Sequence, residues 1–122
     1  MLQANRRVGI WVLRWINDNF KTEGGKVGRW KKFRYGGRFR KGKLDTSAKL
    51  LQDTGRLRAS FDSKPNKKGV TIGSDLEYSK YHEEGVPKKR LPQRRMLPDG
   101  KDREVSNAII KIYDHAIERA LK

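Results

Sequence analysis

LRASFDSKPNKKGVTIGS, residues 57–74, carries two runs of strict alternation around a turn. Leu57, Ala59 and Phe61 alternate with Arg58, Ser60 and Asp62. After Pro65-Asn66-Lys67-Lys68-Gly69, Val70 and Ile72 alternate with Thr71 and Gly73. Successive side chains of a strand point to opposite faces, so the stretch predicts a β-hairpin with one buried face. Something must cover that face.

The cover is supplied from both sides of the chain. Upstream, Val8, Trp11, Val12, Trp15, Ile16 and Phe20 recur at helical spacing and predict an amphipathic helix from about Ala4 to Phe20, ended by Gly24-Gly25. Downstream, Val105, Ala108, Ile109, Ile112, Tyr113, Ala116, Ile117, Ala120 and Leu121 keep the helical period. That second helix must pack its stripe on the sheet or on the first helix. Shorter signals fill the middle. Residues 45–58 predict a short helix capped by Asp45 or Thr46, with Gly55 as its stop. Ser74 with Glu77 fits a capping box for a short helix carrying Leu76, Tyr78, Tyr81 and His82, ended by Gly85. Residues 86–92 read as extended and basic, because two prolines oppose a helix. Residues 93–97 read as a further strand. The expected fold is α+β: one domain over 1–122, a small antiparallel sheet packed with long N- and C-terminal helices, and a long basic loop at about 26–47.

The chain of 122 residues carries 30 Lys and Arg against 14 Asp and Glu, a formal charge of +16. The excess is local. Residues 21–49 hold 11 basic and 2 acidic side chains, net +9, and residues 86–104 hold 7 and 3, net +4. Residues 50–85 balance at 6 and 6. Such a charge implies an anionic partner, or neutralisation in an assembly. The absence of cysteine excludes disulfides, thiolate zinc sites and cysteine nucleophiles. No apolar run approaches the ~18 residues that span a bilayer, so no membrane partner is expected. Arg6, Arg7 and Arg14 around the first apolar stretch do not make a secretory signal.

The loop interleaves basic and aromatic residues. Lys31, Lys32, Arg34, Arg38, Arg40, Lys41 and Lys43 are candidate phosphate or partner contacts, joined by Lys88, Lys89 and Arg90 from the second basic segment. Trp30, Phe33, Tyr35 and Phe39 either stack on bases or cover apolar surface. Gly28, Gly36, Gly37 and Gly42 break any regular pattern. Removing residues 31–43 is therefore expected to leave a folded monomer. His82-Glu83-Glu84 invites a metal or acid–base reading, but a zincin pattern needs histidine at 86, where Val stands. The plainer reading is a helix end with exposed carboxylates. Asp53, Asp62 and Asp75 would meet only by coincidence of folding. Neither an enzyme nor a cofactor is expected.

Several segments in order carry a resemblance. Residues 51–61, LQDTGRLRASF, are similar to an L-x-x-T-G-x-L-x-x-S segment of the tailed-phage virion morphogenesis proteins, also called tail-completion or head–tail joining proteins. Val70-Thr71-Ile72-Gly73-Ser74 with Tyr78 to Gly85 resembles the family's V-x-I-G-(S/T)…Y-A-x-x-H-x-x-G region. Leu91-Pro92-Gln93-Arg94-Arg95-Met96-Leu97 resembles its (I/L)-P-A-R-P-F-L segment, and residues 19–30 its F-x-x-x-G…W entry. Arg95 and Met96 depart from the usual Pro and Phe, and Ser79 from the usual Ala. The resemblance implies that Thr54, Gly55, Leu57, Tyr78, His82, Gly85, Pro92 and Arg94 are structural. It also implies an α+β subunit of a sixfold ring in the neck or at the head-proximal end of the tail. Its partners would be further copies of itself, connector or neck proteins, tail-tube or tail-terminator proteins, and packaged DNA. It would assemble in the host cytoplasm and end in the virion. The alternative is a small basic nucleic-acid-binding protein that uses the 26–47 loop.

Overall fold

The computed structural model describes residues 1–33, 36–52, 55–89 and 91–121. Helix α1, Leu2–Lys21, turns Val8, Val12, Trp15, Ile16 and Phe20 into the core, as their spacing requires. It stops where the chain takes positive φ at Glu23 and Gly24, and the Gly24 N–H donates to the Asn19 carbonyl at 2.7 Å. Gly24 is obligatory there: a Cβ would stand 2.4 Å from the Trp30 backbone nitrogen. That approach lets Trp30 pack edge-on against Phe20, ring centres 5.3 Å apart.

The basic segment contains regular structure. Strands β1, Arg38–Arg40, and β2, Lys43–Asp45, pair antiparallel with Arg40 opposite Lys43. Lys41 and Gly42 both have positive φ, which is what a two-residue hairpin turn needs. Gly42, expected to break structure, makes this turn. The helix expected over 45–58 is instead the single turn α2, Arg56–Ala59, and Gly55, at φ 72°, precedes it. Asp45 ends β2 rather than capping a helix, and its carboxylate accepts from the Ser47 N–H and hydroxyl.

The predicted hairpin is present as β3, Phe61–Asn66, and β4, Gly69–Ser74, paired from Phe61↔Ser74 to Asn66↔Gly69. Leu57 belongs to α2, so the first strand starts later than the alternation implied. Pro65 lies within the strand rather than in the turn. Helix α1 crosses the hairpin at Gly9, where a Cβ would come within 2.7 Å of the Ser63 hydroxyl.

Helix α3, Ser79–Glu84, ends at Gly85 as expected, with φ 76° and its N–H on the Tyr81 carbonyl. The capping box does not form. Ser74 Oγ instead accepts from Leu76 N–H and meets the Ser60 hydroxyl, and α3 begins only at Ser79. Residues 87–89 form one 3₁₀ turn closed by a bridge between Val86 and Leu91, so 86–92 is not simply extended. Residues 93–97 join neither sheet. Their N–H groups go to α3: Arg94 to the His82 carbonyl, Met96 and Leu97 to the Glu83 carboxylate. A carboxylate thus takes the place of a partner strand.

Helix α4, Arg103–Ala120, packs on α1 through Val105, Ile109, Ile112 and Tyr113. The architecture is α+β with terminal helices, and its described strands form two separate two-stranded sheets.

Candidate interaction surface

The basic loop is anchored at its start. Trp30 is buried, and its indole N–H donates to the Arg95 carbonyl at 2.8 Å. Arg94 is also buried and donates twice to the Lys31 carbonyl, from Nε at 3.1 Å and Nη2 at 2.9 Å. Burial lowers the Arg94 pKa, nearby Arg38 lowers it further and Glu23 opposes the shift. Arginine stays protonated regardless, so Arg94 is a permanent charged clamp between the two basic segments. Deleting residues 31–43 would remove the backbone that Arg94 holds, so the loop is not the separable insertion its composition implied.

The clamp brings the segments together. Lys31, Lys32 and Phe33 line a groove of about 990 Å³ together with Glu84, Pro87, Leu91, Pro92 and Arg94. Lys31, Lys32 and Lys88 are exposed, as are Lys41 and Lys43 on the β1–β2 hairpin. Arg38 is engaged within the fold, its guanidinium 5.2 Å over the Phe33 ring and its Nη2 donating to the Lys49 carbonyl. The backbones of Arg40 and Lys89 lie in β1 and in the 3₁₀ turn. Arg34, Tyr35 and Arg90 lie outside the described residues. Of the loop aromatics, Trp30 covers core, Phe33 packs half-buried against it, and Phe39 is 58% exposed.

The motif residues also converge. Gly55, Leu57, Tyr78, His82 and Arg94 line one cavity of about 360 Å³ together with Phe33 and Arg38. Thr54 lies outside the described residues. Gly85 allows the chain to pass close by, since a Cβ there would sit 2.8 Å from the Gln93 nitrogen. His82 packs edge-on to Tyr78, ring centres 6.3 Å apart. Burial, then the Arg94 charge, lowers the His82 pKa, so the ring is neutral at pH 7. Its Nδ1 is buried and has no hydrogen-bond partner among the described residues.

Glu83 is not the exposed carboxylate that the sequence implied. Its Oε1 accepts from Met96 N–H at 2.9 Å and Leu97 N–H at 3.0 Å. Burial raises its pKa against the opposing pull of those two bonds and Arg95. The group acts as a structural acceptor. Among the described residues, no three His, Asp or Glu side chains stand together as a metal site, and no helix is long and apolar enough to cross a membrane.

Composition hid several connecting residues. Asn5 donates to the Asn66 carbonyl at 2.7 Å and accepts from the Tyr113 hydroxyl, joining α1, β3 and α4. Asn19 donates to the Arg95 carbonyl and accepts from Lys26 N–H. Both asparagines lie on the buried side of α1, but periodicity scores apolar residues and passes over them. Arg95 donates to both oxygens of Asp102, at 2.7 and 3.2 Å, and so ties this segment to the residue that opens α4.

The geometry therefore has a neutral body, motif residues gathered at one cavity, and basic segments meeting at one groove. A model of the phage virion morphogenesis family matches residues 16–118, from the second half of α1 into the last turns of α4. The chain belongs to this family. No curated protein and no solved structure matches it. As a virion morphogenesis protein it has a structural role in building the phage particle. The matched span includes the anchored loop and the whole motif cavity.

Proposed function

We propose that this virion morphogenesis protein is a tail-completion or neck subunit. Copies form a sixfold ring at the head-proximal end of the tail and surround the DNA path. Connector or neck proteins lie on one side, and tail-tube or tail-terminator proteins on the other. The observation that carries the reading is the meeting of the +9 and +4 segments at one groove on a family scaffold. A +16 subunit repeated in a closed ring repels itself unless its charge meets anions. Packaged DNA and acidic faces of neighbouring virion proteins are the anions available at such a position. A free-standing nucleic-acid binder would be expected to offer its aromatics for stacking, yet Trp30 is buried and Phe33 half-buried, and among the described loop aromatics Phe39 alone is exposed.

Quantitative mass spectrometry of purified virions tests the reading, together with micrographs of particles assembled without the protein. The expected result is a fixed ring-like copy number, and unjoined heads and tails in its absence. Joined, infectious particles that lack the protein would overturn it.

A further inference from the structure

Two of the apolar patches left uncovered by the described residues lie on the two long helices. The first is a stripe that runs from the middle of α4 to its C-cap. Ile110, Ile117 and Leu121 are 56, 44 and 82% exposed. With Asp114 they recur at i, i+4, i+7 and i+11, which is one face of a helix. The helix uses a neighbouring face to pack on α1, so this one stays in water. The second patch is a shallow depression beside α1 and α2. Ile10, 55% exposed, lies there with Leu13, Arg14, Arg58 and Phe61, and none of its lining residues comes from α4. Exposed apolar patches of this kind mark contact surfaces.

Their charges are complementary. Asp114 interrupts the stripe and Glu118 borders it, both exposed. Arg14 is exposed at the depression. Arg58 donates to the neutral side-chain oxygens of Asn17 and Gln52. The stripe also lies where like-charge repulsion between copies is low, since residues 105–122 carry net +1.

We propose that the α4 stripe of one copy seats in the depression of the next copy, with Asp114 and Glu118 against Arg14 and Arg58. The inference rests on the ring reading above and supplies its subunit contact. Because the two patches differ, the contact is head-to-tail. Each copy presents its stripe to one neighbour and its depression to the other, which gives a closed ring when the rotation closes.

The purified full chain tests this by light-scattering mass in ~1 M salt, where a Debye length of about 3 Å screens the repulsion between subunits. The wild type is expected to form multimers. Ile117→Asp/Leu121→Asp and, separately, Ile10→Asp change exposed side chains, so both should keep the wild-type circular dichroism and melting temperature yet be monomers. Mixed, each supplies the patch the other lacks, and they should form one-to-one dimers and nothing larger. A monomeric wild type, multimers that survive either change, or a mixture that does not associate overturns the contact. Virions separate the two readings. Absence of the protein from joined particles defeats the neck assignment. Wild-type copy number of the Ile117→Asp/Leu121→Asp variant defeats this contact alone.

Discussion

Gly55 and Glu83 show how single residues fix this chain's path. Gly55 sits at φ 72°, and among the described residues nothing lies within 4 Å of where a Cβ would stand. Any cost of a side chain there is therefore backbone strain. Gly55→Val should lose about 1–2 kcal/mol, while Gly55→Asn, which tolerates this conformation, should lose much less. Urea unfolding of both variants checks this, and equal losses would place the cost elsewhere. Glu83 makes a different prediction. Its folded pKa lies above the ordinary 4.5, so its stabilising contribution is complete below pH 4.5 and is lost as pH rises through the folded value. Glu83→Gln keeps an acceptor oxygen and does not ionise. At pH 7 it should equal or exceed the wild type, with a flatter pH dependence of stability. Glu83→Ala leaves two N–H groups without their acceptor and should cost about 1–3 kcal/mol.

At the scale of elements, the crossing of α1 over β3 and β4 depends on Gly9. Alanine normally strengthens a helix interior by about 0.5–1 kcal/mol over glycine. Here the added Cβ would stand 2.7 Å from Ser63 Oγ and 2.9 Å from Ser63 Cβ. Gly9→Ala should therefore destabilise the wild type and stabilise the Ser63→Gly background, a sign reversal that a double-mutant cycle reads directly. The same scale shows where periodicity is a good guide. The long helices and the β3–β4 hairpin follow it because each buries one continuous face. Residues 45–58 and 93–97 do not. Gly55 sets a left-handed turn before α2, and the Glu83 carboxylate satisfies backbone groups that a sheet would otherwise pair. A regular pattern cannot report a partner that arrives from a distant part of the chain.

At the scale of the molecule, charge and stability are separable. Lys31, Lys32, Lys41 and Lys43 are exposed, so reversing all four to Glu should leave thermal unfolding within about 0.5 kcal/mol per site of the wild type. The same variant should fail to enter particles, as measured by its copy number in purified virions. Normal incorporation would mean that these lysines face solvent in the assembled phage. Reversal is a cleaner probe than deletion of 31–43, because Arg94 holds the Lys31 carbonyl.

The α+β class, the two terminal helices, the β3–β4 hairpin and the family are all legible in the order of residues. Each of these rests on local periodicity or on motif order. Gly85 as the end of α3 is legible for the same reason, since a left-handed helix stop is a one-residue signal. Folding was needed to make Trp30 core, to join two basic segments at one groove through Arg94, and to connect elements through Glu83 and Asn5. It also left Ile117 and Leu121 of the α4 stripe uncovered. The physical reason is common to all of these. Whether a charge, an amide or an apolar face is solvated or satisfied depends on neighbours 13 to 108 residues away in the chain, and only folding brings them within hydrogen-bond or van der Waals distance.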